Sequence, residues 1–505
     1  MRLEEILYKH NPHQLEFVEF KSPFGTKLKA DNRWVELTSI IPWDTIEDLY
    51  KGNFSNLKRG QEAYSSRIAF GALFIKEKLA ITDRETVLRI QENIYLQYFL
   101  GFSEFRVDEP FHHSLMTHFR KRFPAESIEQ INKIYLTNRS KSEDSFVESV
   151  NDSDNTDEAN PTHRGKLLVD ATVTPADITF PTDIKLLNKG REKLEGIFDT
   201  LFKHNTDGST KPRTYPKVAR KEFLTYQKKR SSGSKATRKA IRKQLNYINR
   251  DLGHIDMLLD KGISLSVLSK SEYRNLLVVR EVYRQQQEMY DERKRRISHR
   301  ILSISQPHVR AIKRGKAGSN WEFGAKVSIG LCDGATTIHK VSWENFNESK
   351  DLQPQLIDYF NTHGYWPESI HADKIYSTKA NRDFCKEKEI RFTGEHLGRP
   401  FKDLLVRRSK EKQRIADARD RNAVEGKFGE GKRKYGLNQI KAKLSETSET
   451  VIHLIFLIMN LEDELRKGAF SFSLELIHCL HAQLEKTLNV LNENLTELNS
   501  EHLKE

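Results

Sequence analysis

From Glu62 to about Arg139, apolar residues recur at the three- and four-residue spacing of amphipathic helices, most clearly in "RIAFGALFIKEKLAI". Thr82, with Glu85 three residues on, is a capping signal that opens the next helix. A short basic helix follows over Ser114–Phe123. Several short helices ending in a basic one suit a helix-turn-helix-like DNA-binding domain, and suit a plain helical bundle nearly as well. Trp34 and Trp43 stand among apolar residues and read as packing. The pattern then breaks: "KSEDSFVESVNDSDNTDEANPTH", residues 141–163, is polar and acidic, the composition of a flexible linker.

Beyond it the period changes. Lys166–Val173 in "GKLLVDATVTPADITFP" is a β-rich apolar run that predicts a buried strand enclosing Asp170. Helical spacing returns over about 183–304. Alternation over Trp321–Gly334 and Thr336–Trp343 predicts a hairpin. A helix interrupted early by Pro354 follows, then a short strand within Pro367–Tyr376 that ends near Asp373. "TKANRDFCKEKE" reads as a helix, "IRFTG" as a strand, and Lys410–Tyr435 as a long charged helix carrying Glu425. Residues 446–466 predict a buried helix, and an amphipathic helical tail runs from about Ser471. With 183–304 set aside as an insertion, this is an α/β or α+β unit: a mixed sheet with helices on its faces.

Charge narrows the partner. The formal net charge is +13, which favours a polyanion, nucleic acid first. Lys211–Gln244 holds thirteen Lys and Arg against one acid, Glu222, with Tyr215, Phe223 and Tyr226 interleaved. Basic residues with aromatics fit a nucleic-acid groove, although a solvated helical face is the commoner meaning of a charge run. Lys228, Lys229 and Arg230 are consecutive within it and are candidates for DNA contact. Three widely spaced cysteines have no metal-ligand spacing and indicate a reducing compartment. The N-terminus has no apolar signal core, and the longest apolar run, Val451–Leu461, is shorter than the roughly 20 residues of a membrane span. A cytoplasmic protein without a membrane partner is expected.

Three acids carry the candidate chemistry. Asp170 lies inside an apolar strand, Asp373 at a strand end and Glu425 on a helix. A buried carboxylate is costly unless paired or metal-bound, and converging acids stay ionised only if cations neutralise them. Mg²⁺ takes oxygen ligands, and two such ions can hold the attacking and leaving oxygens of a phosphodiester in line. Arg421, four residues before Glu425, and Lys432, seven after it, share its helical face. Glu425 can thus face a metal while the two cations hold phosphate. The bland reading is a simple Arg421–Glu425 helix pair. Gly426, Gly429 and Gly431 each weaken a helix and offer a small surface on which a DNA backbone or another chain can approach.

These pieces together resemble the DDE transposases of bacterial insertion sequences, the group whose last helix carries a Y-x2-R-x3-E-x6-K signature. Arg421, Glu425 and Lys432 match its R, E and K, and Ala418 departs from its Y. Asp170 and Thr172 resemble the first-aspartate D-x-T segment. Asp373 and Tyr376 resemble the second-aspartate D-x-G-Y motif, with Ile375 replacing the glycine. The likeness extends over most of 60–140, 164–200 and 320–465. It implies a ribonuclease-H-like core with Asp170, Asp373 and Glu425 as catalytic metal ligands for Mg²⁺, with Mn²⁺ as substitute. It implies Arg421, Lys432, Tyr376 and Thr172 at the DNA, and metal-dependent cleavage and strand transfer of double-stranded element ends into target DNA by a homodimer at the bacterial nucleoid. The domains expected are a helical DNA-binding domain at 1–140, the linker at 141–163, the catalytic domain at 164–466 with its basic insertion, and a helical tail at 467–505. The alternative is a catalytically silent, transposase-derived DNA-binding protein that keeps the fold. His371, two residues before Asp373, could line the site, and Arg399 in "GRP" could touch phosphate.

Overall fold

The computed structural model of the chain describes residues 20–22, 27–54, 62–150, 163–313, 321–393 and 404–467; at 140–150, 404, 406 and 407 the backbone alone is described. Among the described residues, seven helices precede the first long strand: α1 (Arg33–Ile40), α2 (Trp43–Gly52), α3 (Ser66–Leu79), α4 (Asp83–Glu92), α5 (Ile94–Phe99), α6 (Leu115–Arg122) and α7 (Ala125–Val150). The Thr82 cap is present, its side chain accepting from the Glu85 N–H at 3.2 Å. Trp34 and Trp43 pack edge-on against Phe74, Phe99 and Phe70. Helix α7 runs to Val150 and so takes in the first part of the segment expected as linker. A helix already nucleated on a packed face propagates cheaply through polar residues. Residues 151–162 lie outside the described residues.

Strand β1 (Lys166–Pro175) is central, buried on both faces, and this is why it reads as an apolar run rather than an alternation. It leads into α8 (Asp183–Phe202), α9 (Pro216–Gln227), α10 (Ser234–Asp260) and α11 (Lys270–Asp291). These helices bury their own core, in which Leu194 and Phe198 meet Ile248, Ile255 and Val279. The sheet resumes with β2 (Arg310–Lys313), β3 (Trp321–Cys332) and β4 (Ala335–Ser342). The β3–β4 hairpin turns on Asp333 and Gly334, both at positive φ (48° and 83°), the two-residue turn that matches strand twist. The short strand β2 is an addition to the sequence reading.

Helix α12 (Leu352–His363) accommodates Pro354 in its first turn, where the missing N–H costs nothing, so no interruption occurs. Then come β5 (Ser369–Ala372), α13 (Lys379–Glu387), β6 (Arg391–Phe392), α14 (Leu404–Lys434) and α15 (445–467). The sheet is ordered β2-β3-β1-β5-β6, with β4 also on β3. Strand β3 is antiparallel to β1, whereas β5 and β6 run parallel to it. One face packs on α12 and α13. The other packs on α14 and α15, and the N-terminal helices join that same core through Ile128, Ile131 and Tyr135 of α7. Among the described residues no helix is long and apolar enough to cross a membrane. The tail expected from about Ser471 lies outside the described residues.

Candidate active site

Register builds the site. The parallel β1–β5 ladder ends at the pair Val169–Ala372. One step further along each strand stand Asp170 and Asp373, side by side where β5 stops and β1 continues. A crevice at the carboxyl ends of neighbouring parallel strands is the usual place for a ligand in a sheet of this kind. Asp373 caps the short 3-10 turn Lys374–Tyr376, its Oδ1 accepting from the Lys374 N–H at 2.7 Å.

Helix α14 crosses this crevice. Lys166 holds Asp420 at 2.7 Å, and Arg391 of β6 holds the buried Asp417 at 3.0 Å. Val424 and Phe428 are buried beneath it. At Gly431 a side chain would strike Leu437 at 2.7 Å and Met459 of α15 at 3.2 Å. This glycine therefore admits Leu437 and α15 of the same chain rather than DNA; at Gly426 a side chain would meet open space.

Arg421 lies between two of the acids. Its guanidinium is 3.5 Å from Glu425 Oε1 and 3.9 Å from Asp373 Oδ1. Asp373 and Glu425 are more than half exposed (58% and 54%), open to an incoming ligand. Asp170 is different: burial pushes its carboxyl up to about 6. The Ala171 N–H, donating at 2.8 Å, and Arg421 oppose that rise, while Glu348 and Asp373 add to it.

Other expected residues fall elsewhere. Lys432 Nζ donates to Thr172 Oγ1 at 3.0 Å, so α14 is tied to β1 two residues past Asp170. Thr172 is 3% exposed and Tyr376 is fully buried in the core under β1. Neither side chain is at the surface where DNA contact was expected: α14 covers Thr172 through Lys432, and the turn that projects Asp373 outward directs Tyr376 inward. His371 is likewise buried, between Ser369 Oγ at 3.1 Å and the Asp417 carbonyl at 3.4 Å, and packs under α14 rather than lining the crevice. Lys228, Lys229 and Arg230 are exposed on the α9–α10 link, remote in sequence from the crevice. Arg399 lies outside the described residues. Sequence reading missed Glu348 and the buried Lys326 that holds it at 2.7 Å; a lysine within the apolar "FGAKVSIG" was the available signal.

The donor set suits a hard divalent cation, since all three side chains offer carboxylate oxygen and a cationic group, Arg421, already stands between two of them. Among the described residues, no group of three or more His, Cys, Asp and Glu is gathered closely enough to hold a metal ion.

Two family models match the chain: a transposase DDE domain over residues 370–462 and a transposase domain (DUF772) over residues 23–122. The first begins in β5 and spans both Asp373 and Glu425. The chain belongs to the insertion-sequence DDE transposases. A relative from Rhizobium meliloti, described as "Uncharacterized protein ORF8 in nfe locus", is 31% identical over 160 residues, which is 32% of this chain and 70% of that protein. No solved structure matches.

Proposed function

We propose that this transposase cuts and joins DNA at a single crevice formed by Asp170, Asp373 and Glu425 on a ribonuclease-H-like core. The carrying observation is the register that sets Asp170 beside Asp373 at the end of β5, with α14 and Glu425 across the opening. An antiparallel β4-β3-β1 half continued by parallel β5 and β6 supports the core assignment. Asp170, Asp373 and Glu425 would hold Mg²⁺ or Mn²⁺, two ions in all, which supply charge stabilisation and an activated oxygen nucleophile when bound. The partly buried Asp170 fixes the floor of the crevice. Arg421 neutralises Asp373 and Glu425 until the ligand enters and then has a phosphate within its reach. Lys432 sets the height of α14 above β1. The helices before residue 140 bind the element ends, Lys228, Lys229 and Arg230 of the insertion add DNA contacts, and two copies act on paired ends at the nucleoid.

The test is nicking of a duplex carrying the element's terminal sequence, in Mg²⁺ or Mn²⁺ against EDTA, by wild type and Glu425→Gln. Metal-dependent nicking that the variant loses while keeping its DNA affinity is expected. A second reading, a silent DNA-binding descendant, draws on the ion-paired Arg421 and the ungathered acids. End-specific binding without nicking in either protein would establish it instead.

A further inference from the structure

A cleft of about 750 Å³ opens beside the segment that leaves β1, between that segment, α8 and α11. Its wall carries Lys185, Lys189 and Lys193, spaced by four along one face of α8, with Arg274 of α11 and Lys443 opposite. Lys189 reaches Thr179 Oγ1 at 3.2 Å, and Arg274 reaches the Ser305 carbonyl at 3.0 Å. Among the described residues, the ammonium groups of Lys185, Lys193 and Lys443 make no ion pair. The two acids in the lining are engaged: Glu192 meets Arg191 and Arg220, and Asp177 accepts from Gln439. Phe180 stands in the same cleft, 66% exposed, its ring edge-on to Phe323 at 5.5 Å.

Five cations face one concavity in which Asp177 is bonded by a neutral amide and Glu192 by two arginines, so the excess positive charge favours an entering anion. A large aromatic left two-thirds exposed in such a place offers a flat face to a ligand that is both anionic and planar. We propose that this cleft binds an unpaired stretch of DNA strand, its phosphates along the α8 lysines and a base against Phe180. This rests on the transposase reading. A cleft of this size is that of a small-ligand pocket and takes a few nucleotides, whereas a duplex would touch only its rim, and a paired base has no free face for Phe180. The cleft begins just past Pro175, roughly 17 Å along β1 from Asp170 at about 3.3 Å per residue, which puts it within a few nucleotides' length of the carboxylates. A groove with cations and a stacking aromatic is the general solution for single strands.

The experiment uses the full chain and three fluorescent probes: a blunt duplex of the element's end, the same duplex with a ten-nucleotide dT extension, and dT10 alone. Wild type should bind the extended duplex several-fold more tightly than the blunt one. Phe180→Ser should remove roughly fivefold or more of that gain. Lys185→Ala/Lys189→Ala/Lys193→Ala should remove it and lower the salt slope on dT10 by about 0.7 for each phosphate no longer neutralised. Both variants should keep wild-type affinity for the blunt duplex and the wild-type melting temperature. If the extension adds nothing, or if both variants keep the gain, the proposal is overturned. If the triple variant weakens blunt and extended duplexes equally, the cleft is a duplex surface and the proposal is also overturned. A wild type that binds the blunt duplex while the variants behave as wild type leaves the transposase reading standing; one that binds no probe brings down both.

Discussion

Lys432 Nζ and Thr172 Oγ1 meet at 3.0 Å, 260 residues apart in the chain. This bond joins the last turns of α14 to β1, and the two elements it joins carry Glu425 and Asp170. A helix pinned to a strand on one side of the site and by Lys166–Asp420 on the other cannot slide, so the acids keep their relative height.

Thr172→Val keeps the shape of a buried residue and deletes the acceptor. Losing one hydrogen bond to a charged donor should cost about 1.5–3 kcal/mol, read as a lower melting temperature. Nicking should fall with it, through the turnover rate more than through DNA affinity. Unchanged nicking in a destabilised variant would mean that the bond serves stability alone.

Arg421→Gln removes the cation between Asp373 and Glu425. If Arg421 acts as their counter-ion before metal enters, the variant should bind Mn²⁺ several-fold more tightly in the absence of DNA, measured by titration calorimetry. Its DNA affinity should fall for all sequences alike, with a salt slope reduced by about 1. Metal affinity that stays equal or weakens would show that Arg421 does not compete for those carboxylates.

Asp170 gives a pH signature. Its folded pKa stands above the ordinary value of 3.8, at about 6, so ionisation opposes folding. That cost is absent below about pH 4, grows as pH rises to about 6, and is complete above it. In EDTA, Asp170→Asn should therefore stabilise the protein at pH 7–8, by at most roughly 3 kcal/mol, with the difference vanishing near pH 4. Denaturant unfolding at the two pH values measures it. An Asn variant less stable than wild type at pH 8 would mean that Asp170 is satisfied by its surroundings without metal.

How far the sequence discloses this molecule depends on the range of the interaction. Asp170 was legible because a central strand covered on both faces shows as an apolar run, in which an acid stands out. Arg421 and Glu425 were legible because helical spacing is local. The strand β2 was not, since four residues at a sheet edge carry no pattern of their own. Glu348 comes near Asp170 from the loop after β4, held there by Lys326 of β3, which no spacing in the chain announces. The inward turn of Tyr376 is set by the cap at Asp373, so the same four residues read as one surface motif and fold as two opposite faces. The continuation of α7 to Val150 is a case in which composition described solvation and not shape.

Whether the N-terminal helices are a separable module turns on Asn460 of α15, which is fully buried. It accepts from the Thr336 N–H of β4 at 2.7 Å and donates to the Thr336 carbonyl at 2.8 Å and to Asn132 Oδ1 of α7 at 2.9 Å. Three elements distant in the chain thus close on one amide, inside a core that α7, the sheet and α15 share. Asn460→Leu fits the space but strands the Thr336 N–H and the Asn132 Oδ1, which should cost about 2–4 kcal/mol. Because the core is common, wild type should lose the N-terminal helices and the sheet in one transition, seen alike by tryptophan fluorescence and far-ultraviolet circular dichroism. A fragment ending at Val150 should bind a hydrophobic dye, since Ile128, Ile131 and Tyr135 then face water. A fragment that melts cooperatively and leaves the dye dark would make the N-terminal helices an independent domain, docked on the sheet rather than built with it.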